Sequence, residues 1–371
     1  MFATIFFVFT FVSRIDGVAS QSSWKRGRDE LQLVARRVFA GGEHVSHAME
    51  EWDTLRGHEE RVWNLAWSPD GSILASCGQD KTVRLWRRGP GPQDWICFAV
   101  LEDAHGRSIR SCAWSNDGNV LATASFDATI TIWERKGEEW ELATTLEGHE
   151  SEVKGVAFSA SGTYLASCSR DKTVWIWESH AELDYDCVDV KQEHSQDVKS
   201  VTWHPHEDVL VSCSYDNTLR VWAEELDADE WECLQVLNKN LDAHKSTVWA
   251  ASFNRTGKHM VSCSEDSSIA IWECQEQSGR GGWKAACVVC EAHTRPIYSI
   301  DWSKTTGAIA TGSADDSIKL FRWEGNQLKE LCTKTNAHQS DVNCVCWHPQ
   351  DPTLLASCGD DGLIKIWKCR L

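Results

Sequence analysis

The chain has 371 residues, with 37 Lys+Arg against 55 Asp+Glu, a formal net charge of −18. Hydrophobic residues make up 42% and charged residues 25%, the composition of a folded protein with length for one large domain or two smaller ones. The acidic balance argues against a general nucleic-acid binder, which needs basic patches to displace counterions, and against an anionic membrane surface as main partner.

Residues 1–48 read as an N-terminal extension, mostly poorly ordered. Its first stretch, Met1–Val12 (MFATIFFVFTFV), is almost wholly apolar, and small residues at Gly17-Val18-Ala19-Ser20 are of the kind that end a signal peptide. The stretch is shorter than the roughly 20 residues a membrane-spanning helix needs, and it lacks a basic n-region. A secretory signal and a stray upstream lead are the two readings. A single Asn254-Arg255-Thr256 sequon is of the kind that arises by chance.

From residue 49 to 371 the chain repeats seven times. His recurs at 58, 105, 149, 194, 244, 293 and 338. An Asp follows at 80, 127, 171, 216, 266, 315 and 361, and six residues later stands Trp86, Trp133, Trp177, Trp222, Trp272, Phe321 or Trp367. The distance from His to aromatic is 28 in six units and 29 in the seventh, where Pro349–Thr353 carries one extra residue. Length varies only in the connectors, as a rigid structural unit requires. Within a unit the hydrophobic period is two. The first reads Val62–Trp67, a turn at Ser68-Pro69-Asp70-Gly71, Ile73–Cys77, a turn at Gln79-Asp80-Lys81, and Val83–Trp86. A fourth strand fits each connector, as at Trp95–Leu101, Trp140–Leu146 and Trp231–Leu237. Four strands in seven units make an all-β, seven-bladed β-propeller. Gly57-His58, Gly148-His149 and the terminal aromatic after Asp resemble the WD40 family over about residues 45–371.

A hydroxyl lies four residues before each Asp: Ser76, Thr123, Ser167, Ser212, Ser262, Thr311 and Ser357. His, Ser and Asp together invite a hydrolase reading. A catalytic constellation occurs once, however, and this one occurs seven times. The resemblance implies a buried brace instead, in which the ring of His58 or His149 donates to Asp80 or Asp171. The histidine then engages Ser76 or Ser167, and that hydroxyl accepts from the indole N–H of Trp86 or Trp177. Phe321 has no N–H, so the sixth brace is one bond short and its blade is expected to be the softest.

Five of the sixteen cysteines, Cys77, Cys168, Cys213, Cys263 and Cys358, share one position, filled in the other units by Ala124 and Gly312. The site wants a small apolar residue, and these five are expected on separate blades, too far apart to pair. Cys97, Cys187 and Cys233 each follow an aromatic by two, in fourth strands. Cys287-Val-Val-Cys290 has no second pair and no nearby His pair, so no metal is expected there, nor at Cys344 and Cys346. Thiols packed as small hydrophobes point to a reducing compartment, cytosol or nucleus, and against the signal peptide.

The residue five after each His should open the innermost strand on the narrow top face. Around the ring these are Trp63, Arg110, Lys154, Lys199, Trp249, Tyr298 and Asn343. The residue before each Asp gives a second top ring: Gln79, Phe126, Arg170, Tyr215, Glu265, Ala314 and Asp360. The first ring has three bases, three aromatics and no acid. Arg110, Lys154, Lys199 and Arg170 come from units two to four and are expected to form one sector, flanked or faced by Phe126, Tyr215, Trp249 and Tyr298. Exposed aromatics beside Arg suit a docking site for a short acidic segment with an aromatic, or for a free C-terminal carboxylate. The alternative is that the bases only offset Glu152 and Asp197. The acidic outer connectors Glu182–Asp189 and Glu224–Glu232 read as a solvated rim.

The strings Leu146-Glu-Gly-His149-Glu150, Glu152-Val-Lys-Gly-Val-Ala157, Cys168-Ser-Arg-Asp-Lys-Thr-Val-Trp-Ile-Trp177, His194-Ser-Gln-Asp-Val-Lys199 and Thr247-Val-Trp249 resemble the WD40 adaptor family of cytosolic iron–sulfur protein assembly. The resemblance implies a non-enzymatic adaptor, a monomeric propeller that works with a HEAT-repeat scaffold and a small acidic cluster-assembly partner. Together they deliver clusters to iron–sulfur apoprotein clients in cytoplasm and nucleus, with no cofactor of the adaptor's own and no direct nucleic-acid or membrane contact. The family's functional top-face arginine falls on Arg170. A substrate receptor of a ubiquitin ligase, or a generic scaffold, is the alternative, although no ligase-docking element is evident. Leu31–Phe39 and Trp52–Arg56 are rival candidates for the N-terminal strand that closes such rings.

Overall fold

The computed structural model describes residues 48–91, 94–225, 230–276 and 278–371. The expected extension at 1–48, and with it the Leu31–Phe39 candidate, lies outside the described residues except for Ala48, where the first strand begins.

Seven four-stranded antiparallel sheets follow one another. Blade 1 runs outward through Val62–Trp67, Ile73–Gly78, Val83–Arg88 and Trp95–Leu101, within two residues of the strands read from its alternation. Blades 2 to 6 occupy 109–146, 153–191, 198–237, 248–289 and 297–334. Blade 7 takes its inner three strands from Val342–Trp347, Leu354–Gly359 and Ile364–Arg370, and its outermost from Ala48–Leu55. The fold is the expected seven-bladed propeller.

That last pairing gives the fourth strand of blade 7 and takes in Trp52, Asp53, Thr54 and Leu55 of the Trp52–Arg56 candidate. Ala48 pairs with Arg370 and Leu55 with Ile364, with a bulge between Glu51 and Asp53. Met49 and Leu55 are buried in the seam, Lys365 reaches Glu51 at 2.9 Å, and the Lys368 ammonium lies 4.2 Å from the Trp52 ring centre. Joining the two ends of the propeller in one sheet removes the free edges that an open ring would leave.

Between blades the core is continuous. Ile73, Ala75, Cys77 and Leu85 of blade 1 pack against Ile109, Cys112, Trp114 and Leu121 of blade 2. Ala356, Cys358, Ile364 and Ile366 of blade 7 meet Leu65, Trp67 and Leu74 of blade 1, which completes the circle. Second strands such as Ile73–Gly78 and Val209–Ser214 are buried at every residue, so both of their faces must be apolar or small. This is why Cys recurs there: Cys77, Cys168, Cys213, Cys263 and Cys358 are fully buried, and all sixteen cysteines are free thiols. One neighbour relation was not expected. Cys344 lies directly opposite Cys358 on the adjacent strand of blade 7.

The brace has the expected connectivity in blades 1 to 4 and 7. In blade 1 the His58 Nδ1–H donates to Asp80 at 2.8 Å, the Ser76 hydroxyl donates to His58 Nε2 at 2.8 Å, and the Trp86 indole donates to Ser76 at 2.9 Å. The corresponding distances among His149, Asp171, Ser167 and Trp177 are 2.8, 2.8 and 3.0 Å. Burial alone would raise the Asp80 pKa, but the His58 hydrogen bond and charge, with Thr82, outweigh it and hold the carboxyl at about 2. In blade 6, Thr311 meets His293 at 2.7 Å and Phe321 supplies no donor, as its side chain dictates.

Blade 5 departs from the expected direct bond. His244 Nδ1 donates to Ser268 at 2.6 Å, and it is the Ser268 hydroxyl that donates to Asp266. The side chain of Asn238 clamps His244 by its own backbone, accepting from its N–H at 3.0 Å and donating to its carbonyl at 2.7 Å. The ring is thereby fixed at full burial, with Ser268 filling the gap to the carboxylate. Burial drives the His244 pKa down to about 4, against the raising influence of Asp266.

Candidate docking site at the mouth of the propeller

The two rings read from the repeat share a structural cause. In every blade the pairing of first and second strands slips by one residue, between Val62 and Asn64, Ile109 and Ser111, Val153 and Gly155, and so on around the ring. The residue in each slip is Trp63, Arg110, Lys154, Lys199, Trp249, Tyr298 or Asn343. A β-bulge leaves its extra residue unpaired and re-aims the side chain. Seven bulges therefore turn seven side chains toward one opening. A second repeated contact ties the upper loops together: the backbone N–H of each second-ring residue donates to the carbonyl two positions before the bulged residue. Phe126 to Ser108 at 2.9 Å, Arg170 to Glu152 at 2.9 Å and Tyr215 to Asp197 at 2.8 Å are examples.

All seven bulged residues line one cavity of about 280 Å³, together with Phe126, Arg61, Asp341 and Asp360. Its walls are aromatic and cationic on one side. Arg110 stacks 5.3 Å from the Trp63 ring centre, Lys154 lies 4.1 Å from that of Phe126, and Lys199 stands 5.1 Å from Trp249. Trp249 meets Tyr298 edge-on at 5.0 Å and donates its indole N–H to Glu265 at 2.6 Å. Burial, with Asp341 and Glu265 near, pushes the Tyr298 hydroxyl up to about 12.

The first ring itself carries no acid, but Asp341 stands in the wall of the mouth with Asp360 of the second ring, the latter 3.3 Å from Arg61. One expectation needs correction. Arg170 does not line the central cavity. It sits in a neighbouring open hollow with Arg107, Phe126 and Glu152, so Phe126 is the partition between the two. The alternative that the bases offset nearby acids holds for two of the four cations: Arg170 meets both oxygens of Glu152 at 3.3 Å, and Lys199 meets Asp197 at 3.5 Å. Tyr215, 55% exposed, stands outside the cavity with its ring 4.9 Å from the Lys199 ammonium.

Glu152 and Asp197 are named from the sequence, but the missed signal is that they belong to a third ring two residues before the bulge, which also carries Arg61 and Asp341. Glu152 is the most heavily engaged. Its carboxylate takes the Ser151 hydroxyl at 2.7 Å, Arg107 of the neighbouring blade at 3.3 Å, and Arg170. The Ser151 bond first, then Lys154 and Arg170, hold its pKa at about 2 against burial. Arg110 and Lys154 are left with no carboxylate in ion-pair contact among the described residues. Burial first, then Lys199 and Arg110, lower the Lys154 pKa to about 8.

The brace hydroxyls do not open onto this cavity. Ser76 and Ser167 are fully buried and saturated by His and Trp. Among the described residues no group of three or more His, Cys, Asp or Glu is placed to hold a metal ion. No described helix is long and apolar enough to cross a membrane.

Seven braced blades around a central mouth define a WD40 propeller. The WD domain, G-beta repeat family matches residues 50–87, 95–134, 140–178, 185–223, 231–273, 286–322 and 329–368, each match joining the outer strand of one blade to the inner three of the next. The chain belongs to that family and, within it, to the group of proteins named cytosolic iron-sulfur protein assembly protein CIAO1. It is 55% identical over 350 residues to the probable CIAO1 homolog of Chlamydomonas reinhardtii, covering 87% of this chain and 99% of that one. It is 46% identical over 319 residues to the probable CIAO1 protein of Homo sapiens, covering 84% and 94%. Protein CIA1 of Arabidopsis thaliana is 48% identical over 337 residues, covering 86% and 98%.

Proposed function

We propose that the chain is a non-catalytic adaptor in cytosolic iron–sulfur protein assembly, which brings apoprotein clients to the assembly machinery by docking them at the propeller mouth. The relatives' names support the pathway. The observation that carries the docking mechanism is the pair Arg110 and Lys154, two cations in an aromatic-walled cavity with no carboxylate against them. A ligand carboxylate there gains charge-assisted hydrogen bonds without first breaking an internal ion pair. The ligand is a short acidic segment with an aromatic side chain, or a C-terminal carboxylate next to one. Arg170 serves as a second anion contact once Glu152 gives way. A HEAT-repeat scaffold and a small acidic cluster-assembly protein are the standing partners, in the cytoplasm and, with nuclear clients, in the nucleus.

The test is affinity capture from cytosol with the full chain and with Arg110→Glu, Lys154→Glu and Arg170→Glu variants that keep the parent's unfolding midpoint. Loss of the iron–sulfur apoproteins in the mouth variants supports docking there. Retention of every partner removes the mouth from the mechanism, and recovery of a ubiquitin-ligase core instead moves the chain to another class of adaptor. Anion affinity should fall as pH rises through about 8, where Lys154 loses its charge.

A further inference from the structure

Lys154 differs in kind from the other cations around the mouth. Arg61, Arg170 and Lys199 each meet a carboxylate, and Arg110 donates to the Trp63 carbonyl at 3.4 Å. The Lys154 amine has neither a hydrogen bond nor an ion pair among the described residues. It rests on the Phe126 ring, 4.1 Å from its centre, and lines the cavity. The charged groups that act on it are Lys199 and Arg110 on one side and Glu152 and Asp197 on the other. Both acids are spoken for: Glu152 by Ser151, Arg107 and Arg170, and Asp197 by Lys199. An ammonium so placed gives up its proton more readily than one in water, and a neutral amine is a nucleophile.

We propose that Lys154 is an acylation site, whose amine takes a short acyl chain from an acyl thioester that carries its own carboxylate, the succinyl or malonyl class. The amine lone pair attacks the thioester carbonyl carbon. The new C–N bond forms as the C–S bond breaks, and the thiolate departs with the bonding pair and takes up the amine's proton, leaving an amide and a free thiol. The adjacent Arg110 and Lys199 supply the reason for an anionic acyl chain, since its far carboxylate meets two cations while the carbonyl stands at Lys154. A cavity of about 280 Å³ has room for a four-carbon chain. The product replaces a positive group by a negative one at the centre of the mouth, and so closes it to anionic ligands.

Burial and the two neighbouring cations place the Lys154 pKa at about 8. At neutral pH about a tenth of such an amine is neutral, against well under a thousandth for an ordinary lysine near 10.4. Its lower basicity weakens each attack, leaving an expected advantage of roughly tenfold in rate.

The experiment does not depend on which ligand the mouth receives. The folded full chain is incubated at pH 7.5 with succinyl-coenzyme A or acetyl-coenzyme A, and the modified lysines are mapped and timed by mass spectrometry. Lys154 should react first, roughly tenfold ahead of exposed Lys245 and Lys258 and ahead of paired Lys199. It should also favour succinyl over acetyl, and the preference should shrink with added salt. In urea all lysines should react alike. Lys154 trailing Lys245 in the folded chain overturns the site, as does a Lys154 preference that persists in urea. Equal succinyl and acetyl rates overturn the anionic class.

Discussion

The brace and the bulge ring occupy the same sevenfold frame and use it in opposite ways. At the brace, seven positions carry nearly the same chemistry: always His, always Asp, always a hydroxyl, and an indole in six blades of seven. At the bulge, seven geometrically equivalent positions carry Trp, Arg, Lys, Lys, Trp, Tyr and Asn. Sameness at equivalent sites marks what every blade needs in order to stand. Difference marks what the whole ring presents to something asymmetric. The same contrast fits a structural role for the Ser–His–Asp set, which is the repeated element and is buried inside the blades, as at Ser76 and Ser167.

Breaking a brace should therefore disturb stability far more than changing the mouth. Asp171 accepts from His149 Nδ1 at 2.8 Å, Glu150 N–H at 3.0 Å and Thr173 N–H at 2.9 Å. Asp171→Ala strands these donors and should destabilise by about 3 kcal/mol or more in urea unfolding. Tyr215→Ala, at an exposed position, should stay within about 0.5 kcal/mol.

Acid should act on the braces in two stages with the same sign. Burial holds the His244 pKa at about 4 and also lowers that of His194, so the unfolded chain binds protons there first. Their contribution is full above about pH 6.5 and shrinks as pH falls below it, that of His244 being lost toward about 4. Asp80 and Asp171, held at about 2 because their His and Thr partners outweigh burial, contribute above about pH 4 and lose that contribution as pH falls toward 2. The urea midpoint should fall between pH 7 and 4.5. A midpoint flat over that range contradicts the buried-neutral histidines.

The smallest effects concern the single missing bond. Trp177→Phe removes the 3.0 Å contact to Ser167 and should lose about 1 kcal/mol. In the parent chain, amide exchange should be faster across blade 6, which has Phe321 at that place, than across blade 3. Equal protection in the two blades removes the indole from the account of blade stability.

Blade number, strand order and the positions of the two top rings were legible in the sequence, because the repeat supplies seven copies of each spacing and the copies agree, while the brace partners came from the resemblance to the WD40 family. The parts that were not legible are those that occur once. The Ser268 relay follows from Asn238, a connector residue with no counterpart in the repeat. The separation of Arg170 from Lys154 follows from Phe126 standing between them, a matter of side-chain direction that spacing does not encode. The pairing of Lys199 with Asp197 and of Arg170 with Glu152 was an alternative the sequence offered, but choosing it turns on side-chain reach over the mouth. Recognising the stretch at Trp52 as part of the closing strand required its partner, Ile364–Arg370.

The central claim is that Arg110 and Lys154 form an anion seat in a mouth the rest of the fold holds rigid. Calorimetric titration of the full chain with a short acidic peptide ending in an aromatic residue and a free carboxylate tests it most directly. Saturable binding that weakens with salt and drops at least tenfold in the Arg110→Met/Lys154→Met variant, whose unfolding free energy stays within about 1 kcal/mol of the parent's, is the predicted result. Equal affinity in parent and variant would contradict it.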